Sequence, residues 1–333
     1  MSREKSYTSR YAVLTAALAM GAAGHAAQAG NYLDVVATQT PLIYYEFNET
    51  GVVDPVPAAI DNIDALLGPD LYVNDALPGS DIVFGVASMT PAGGFDGFGA
   101  GNTAYNFNTS NAGSVVTHLF AEDPLNTDTT HNPMTMAGSS ISMWFNTSDP
   151  NLADPFASGV LWRGDEGSGH NLNLRVIDAG GNGIVTLNLE EGEFVTVANG
   201  TDGTTDYSDG AWHHVVATWE YDMVADSGML NVYVDGGTLA GGEQVSTAFD
   251  STSYAPILQE SDPVNNPGVF DDVMDFDFRN RIGKGRNNSH RFNGDIDEFA
   301  AWNRALTEQE IADQYAAAFE EGSGLPGGLD NQL

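Results

Sequence analysis

Asp295, Asp297 and Glu298 lie within one short run near the C-terminus, Phe292-Asn293-Gly294-Asp295-Ile296-Asp297-Glu298-Phe299. The run has strand periodicity, which sends Asp295 and Asp297 to one face and Glu298 to the other. Two carboxyls about 5 Å apart on one face are the minimum for a retaining glycoside hydrolase, one as nucleophile and one as acid/base. The same pair suits Ca²⁺, which takes about six to eight hard oxygens from carboxylates, amides and backbone carbonyls. A third use is plain structure, with Asp297 and Glu298 capping loop amides or pairing with Arg304. The next position on the aspartate face is Phe299, so no third carboxylate joins the pair. The run therefore points to scaffolding or cation binding and not to bond breaking.

Other chemistry-bearing residues carry less. His213 and His214 are adjacent on a strand-like run, so they point to opposite faces and cannot share one ion. One is expected in the core and the other at the surface. Asp178-x-Gly180-x-Asn182-Gly183 partly mimics an EF-hand loop, but Leu189 stands where the bidentate glutamate belongs, which leaves a hairpin turn. The acidic run Asp271–Asp277, within an insertion spanning Gln259–Asp277, reads as a solvated loop. Trp162–His170 has the make-up of a sugar platform, an aromatic beside amides and carboxylates. A tryptophan opening a loop is more often a core residue, and no ligand site is assigned there. The sequence has no HExxH, no GxSxG and no phosphate-binding glycine loop.

The elements that must position these residues are mostly strands. Pro41–Glu49 is expected as the first strand. Residues 50–101 read as long loops with short strands, and Ala104–Phe107 and Ser114–Phe120 as further strands. Ile141, Met143 and Phe145 alternate with Ser142, Trp144 and Asn146, and Leu172, Leu174 and Val176 with Asn171, Asn173 and Arg175. Trp212–Tyr221 and Met229–Val234 form a long antiparallel pair. Thr307 and Glu310 have capping-box spacing, with Leu306 and Ile311 at the staple positions and Ile311, Tyr315 and Phe319 on one helical stripe. No helix is expected before Thr307.

Three runs carry a resemblance. Gly210-Ala211-Trp212-His213-His214-Val215-Val216, Leu230-Asn231-Val232-Tyr233-Val234-Asp235-Gly236 and the closing Phe292–Ile311 are similar, in order, to strands of LamG-like jellyroll domains of the concanavalin A-like lectin/glucanase superfamily. The resemblance covers residues 41–319. It implies an all-β, antiparallel two-sheet jellyroll sandwich with one short C-terminal helix. It also implies Ca²⁺, and it directs attention to Asp297 and Asp295 in the closing motif. Glu46 and Asn48 become the partner ligands if the first and last strands are neighbours, as the family topology suggests. Glucanases of the superfamily place Glu, Asp and Glu at alternating strand positions. Here Asp295 and Phe299 replace the outer two, which argues against a catalytic residue anywhere on the strand.

Residues 1–29 read as a secretory signal peptide. Arg3, Lys5 and Arg10 precede the apolar run Tyr11–Ala23, and Ala27-Gln28-Ala29 supplies the cleavage site. Residues 30–40 follow as a lead-in, and 320–333 as a flexible polar tail. Setting 1–29 aside removes three cations and one anion (Glu4) from 11 Lys+Arg and 46 Asp+Glu, leaving 8 against 45 and a net charge of −37. So acidic a chain repels nucleic acid and anionic membranes and is not expected to insert into one. The acidity fits salty surroundings together with at least one bound Ca²⁺. There is no cysteine, so thiol nucleophiles and disulfides are excluded, and a chain of this length can build a sufficient core without staples. The expectation is a secreted, non-enzymatic, Ca²⁺-binding module for a polysaccharide or a surface or matrix glycan or protein. A glycoside hydrolase or polysaccharide lyase on the same scaffold, and a structural envelope or matrix protein, are the alternatives.

Overall fold

A computed structural model describes residues 31–41, 43–48, 62–63, 71–74, 82–107, 118–121, 138–148, 159–165, 171–179, 181–189, 194–198, 200, 203, 205–222, 224–250, 280–283 and 292–320. The expected signal peptide, acidic insertion and C-terminal tail from 321 on lie outside these residues. Within them the chain forms two antiparallel sheets. The first runs through β14 (Glu243–Phe249), β13 (Ser227–Val234), β12 (Trp212–Asp222), β7 (Gly138–Asn146), β16 (Gly294–Trp302), β5 (Thr103–Phe107) and β4 (Ile82–Ala87). β1 (Ile43–Tyr45) pairs with the C-terminal part of β16, Tyr44 opposite Ala300. The second runs through β11 (Phe194–Ala198), β10 (Gly183–Leu189), β9 (Asn171–Asp178), β8 (Gly159–Asp165), β15 (Asn280–Ile282), β6 (His118–Ala121), β3 (Leu71–Asn74) and β2 (Asn62–Ile63). The jellyroll sandwich and the neighbouring first and last strands are as expected.

Alternation fills the space between the sheets. Ile141, Met143 and Phe145 of β7 meet Leu172, Leu174 and Val176 of β9, with Val185 and Leu187 of β10 behind them, all fully buried. Trp162 and Trp219 stack across this core at 5.9 Å. At one edge Glu243 of β14 accepts from the Gly200 amide and the Tyr207 hydroxyl, both at 2.6 Å, which ties the two sheets together.

The outer face of the first sheet is also covered, and here the structure departs from expectation. Residues 30–40 are not a simple lead-in but hold α1 (Asn31–Thr38), and a single turn, α2 (Gly237–Ala240), follows β13. Eight residues make two turns, too few for their period to stand out, and so short a helix forms only through tertiary packing. Tyr32 and Val36, one turn apart, are its buried contacts. With α3 (Glu308–Ala317) they close a second apolar layer over Tyr44, Trp144, Val216, Ala300 and Trp302. α3 starts as expected, with the Thr307–Glu310 capping box formed and Leu306 and Ile311 buried in the layer. Glu310 also takes a two-point bond from Arg304 at 2.6 and 2.8 Å; that bond, against partial burial and with the cap bonds, lowers its pKa to about 2. Gln39, just past α1, bonds the Glu310 carbonyl and the Gln314 amide, and its own carbonyl accepts from Trp302. Among the described residues no helix is long and apolar enough to cross a membrane.

Gly97 joins α1 to α3: its carbonyl accepts from the Tyr32 amide and its amide donates to Ala318. A Cβ there would sit 1.7 Å from the Ala317 carbonyl oxygen, backbone that cannot rotate away. In urea unfolding, Gly97→Ala is expected to cost about 1–3 kcal/mol, and Thr307→Ala, which removes only a cap, about 1 kcal/mol.

Candidate functional site

β16 does not keep its alternation. Asp297 pairs with Trp144 and Ala300 with Ser142, so Glu298 and Phe299 together oppose Met143. Two residues against one is a β-bulge, and Glu298 takes the left-handed conformation this demands, φ 56°. The bulge switches phase. Ile296 faces the sandwich core before it, while Phe299 and Ala301 face it afterwards. Glu298 is not turned away from Asp297 as simple alternation requires; its carboxylate accepts from Tyr44, a member of the outer layer.

The result is a sealed pair of neighbouring acids. Asp297 and Glu298 are 0% and 3% exposed. Asp297 accepts from the Ser88 hydroxyl, from the Asn102 amide at 2.9 Å and from the Glu298 backbone amide at 2.9 Å. Burial pushes its pKa well above the carboxylate range, and the charge of Glu46 adds to this, against the pull of those donors. Burial does the same to Glu298, reinforced by Asp297 and Glu46 and opposed by Tyr44. Burial and the Glu298 charge likewise raise the tyrosines Tyr32 and Tyr44.

Of the four expected cation ligands, Asp297 and Glu46 come together electrostatically. Asn48 is close by in the chain, but its side-chain oxygen accepts from the Thr103 amide at 2.9 Å. Asp295 stands apart, bonded to Asn106 of β5 at 2.6 Å and raised by burial against that bond. Neither Asp297 nor Glu298 pairs with Arg304, which is forked on Glu310. Sequence reasoning missed Tyr44, Ser88 and Asn102, and put Glu298 on the far face as a capping residue or a partner of Arg304. For Glu298 the signal was its adjacency to Asp297, which only the bulge makes productive. The donor chemistry, all oxygen and mostly anionic, fits a hard cation. The number of donors does not complete a cage: among the described residues no three His, Asp or Glu side chains are grouped to hold a metal ion.

The two histidines do take separate faces. His214 is fully buried, and burial holds it down to about 4, so it is neutral. Ser142 donates to Gln314 and sits 3.0 Å from His214 Nε2, so that nitrogen is the donor, and Nδ1 finds no hydrogen-bond partner. Ser142 and His214 have the spacing of a nucleophile and its base, but both are sealed under α3, Nε2 presents its proton to Ser142 rather than a lone pair, and no carboxylate orients Nδ1. His213 is not at the open surface. It lies at the sandwich edge with Nδ1 3.0 Å from Asp235 and Nε2 3.2 Å from Asp209, edge-on to Tyr207.

A family model described as the concanavalin A-like lectin/glucanases superfamily, of laminin G type, matches residues 121–279 and 263–312. No curated protein sequence matches the chain. Among solved structures, the fourth domain of an extracellular arabinanase from Geobacillus stearothermophilus, in complex with arabinotriose, is 14% identical. That match covers 83% of this chain and 98% of that one, with a TM-score of 0.46. The binding domain of botulinum neurotoxin serotype D is 12% identical over 85% of this chain and 52% of its own, TM-score 0.45; this chain thus spans about half of it. The CBM40 of a Ruminococcus gnavus IT-sialidase, bound to α2,6 sialyllactose, is 15% identical over 56% and 85%, TM-score 0.32. At such distances none of their ligands transfers to this chain.

Burial disfavours the His213 cation, but its bond to Asp235 and the charges of Asp235 and Asp209 outweigh that and raise its pKa. A raised histidine stabilises the fold fully below its unfolded pKa of about 6.5 and loses that contribution as pH climbs through the folded value. The stability lost in His213→Gln, followed by urea unfolding, should therefore be larger at pH 6 than at pH 9.

Proposed function

Since the chain belongs to the concanavalin A-like lectin/glucanase superfamily, we propose that it is a secreted, non-catalytic LamG-like module that binds carbohydrate or a surface or matrix partner with the help of Ca²⁺. The burial of Asp297 and Glu298 carries the non-catalytic half. A glycosidase carboxyl must touch the glycosidic oxygen or the anomeric carbon, and these two are buried beside Tyr44 and Asn102 with almost no exposed surface to offer a sugar. Phe299, the position a third catalytic carboxylate would take, points into the sandwich core.

The same burial supports the cation. Two adjacent carboxylates taken out of water, with Glu46 near them, repel one another and are costly to ionise. A bound Ca²⁺ supplies the positive charge that offsets both costs. Asp297 and Glu46 are the carboxylates to hold it, with amide and backbone oxygens and water completing the oxygen count. Their part in binding is indirect: they join β1, β16 and the loops carrying Ser88 and Asn102 into one rigid end of the sandwich. The apolar run at residues 11–23 and the basic residues before it support export.

Thermal melting at fixed ionic strength tests the cation. The midpoint should rise with Ca²⁺ over EGTA, and Asp297→Asn should abolish the rise; a wild-type midpoint indifferent to calcium would falsify it. A glycan array with and without Ca²⁺, read beside release of reducing ends or unsaturated products from polysaccharides, tests the rest. Binding without product release is the expected result.

A further inference from the structure

Phe319, just past the end of α3, is 40% exposed, and among the described residues no other aromatic is as open. It does not stand alone. Its ring stacks on Phe95 at 5.1 Å and meets Tyr315 edge-on at 5.0 Å. Phe95 and Tyr315 are partly exposed, as is Trp212 of β12, and all three pack against the outer layer. Beneath them the buried Trp144 stacks on Tyr315 at 5.8 Å and stands edge-on to Phe95 at 5.8 Å. The layer thus ends in an aromatic strip that reaches water. Backbone bonds fix the strip in place: the Phe95 amide donates to the Thr90 carbonyl at 3.1 Å, and the Gly97 amide to the Ala318 carbonyl at 3.0 Å.

Single exposed apolar side chains are ordinary, but contiguous ones mark a contact surface. Here they come with unused polar groups. Among the described residues, the Tyr315 hydroxyl, the Trp212 indole N–H and the Asp96 carboxylate make no hydrogen bond. Burial and the charge of Asp235 raise Tyr315 to about 12, so its hydroxyl keeps a proton to donate. Charge narrows the choice of occupant. Asp96 follows Phe95, Glu320 follows Phe319 and Asp313 precedes Tyr315 by two positions, all three exposed. Residues 88–101, 205–222 and 305–333, which supply the strip and its flanks, contain no Lys or Arg. An anionic glycan is repelled there, and so is a second copy bearing the same acids.

We propose that Phe95, Tyr315 and Phe319 form a platform that binds an uncharged polysaccharide, with Asp96 accepting from its hydroxyls and Tyr315 and Trp212 donating to them. The inference rests on the reading of the chain as a glycan-binding module, and adds the site and the class of glycan. The C–H face of a sugar ring is apolar and stacks on aromatic rings, while its hydroxyls need both acceptors and donors. The strip offers all three without a cation. Because its rings are already packed on one another and on Trp144, little side-chain freedom is lost on binding.

The full chain, in Ca²⁺-containing buffer, is titrated with the neutral polysaccharides laminarin, xyloglucan, galactomannan and dextran, and with the anionic hyaluronan and dextran sulfate. Binding to at least one neutral polysaccharide and to neither anionic one is expected, with affinity constant within about twofold from about 50 to 500 mM NaCl, since no charges are there to screen. Phe319→Ala should weaken binding about tenfold or more with the melting midpoint retained. Tyr315→Phe, which keeps the ring and loses only the hydroxyl, should weaken it about threefold. If Phe319→Ala does not fold, Tyr315→Phe and Asp96→Asn carry the test. Neutral binding that these variants leave unchanged, or binding confined to the anionic polysaccharides, overturns this inference and leaves glycan binding standing. A wild-type dimer that Phe319→Ala dissociates overturns it too, by giving the strip to a second copy. No binding to any polysaccharide in this set or on the array overturns both readings.

Discussion

β16 runs through the interior of the first sheet with the sandwich core on one side and α1 and α3 on the other, so Ile296 to Trp302 are all buried. A strand with two dry faces leaves no water for a polar side chain, and this one carries two carboxylates in succession. The bulge at Glu298 and Phe299 resolves the conflict. It returns Phe299 to the sandwich core and turns Glu298 toward Tyr44, beside Asp297 and its donors Ser88 and Asn102. The cost is a non-glycine residue in left-handed backbone and two like charges close together. Both are tolerated because β1, β5, β7 and two helices hold the segment from every side.

The outer face of the first sheet is a second core, built from Trp144, Trp302, Tyr32 and the stripe of α3, with Arg304, Glu310 and Gln39 fastening the helices to each other. Among the described residues it is packed as a structural layer. On the second sheet the outward positions Asn173 and Thr186 are fully buried too.

The sandwich was legible in the sequence because its strands follow a local rule. Ile141-x-Met143-x-Phe145 and Leu172-x-Leu174-x-Val176 alternate wherever one face meets the core and the other does not, and the Thr307–Glu310 cap lies within four residues. The family resemblance rested on the same segments. α1 was not legible, since two turns of helix show no convincing period and its stability lies in what it covers. The candidate site was less legible. The structure sets Asp297 within the field of Glu46 and bonds Asp295 to Asn106, and the bulge takes Glu298 off the face that alternation gave it.

What the sequence determined by itself is everything set by neighbours within about ten residues: alternation, caps, hairpin turns, the acidic balance and the lack of thiols. What only the tertiary structure decided depends on residues far apart in the chain. Tyr44 reaches Glu298 across more than 250 positions, and Asn173, Arg163 and Arg281 share a rung although three different strands supply them. A bulge shifts the phase of every residue beyond it and is imposed by the strands on either side, and register is a property of pairs of strands. Neither is written in the residues of one strand.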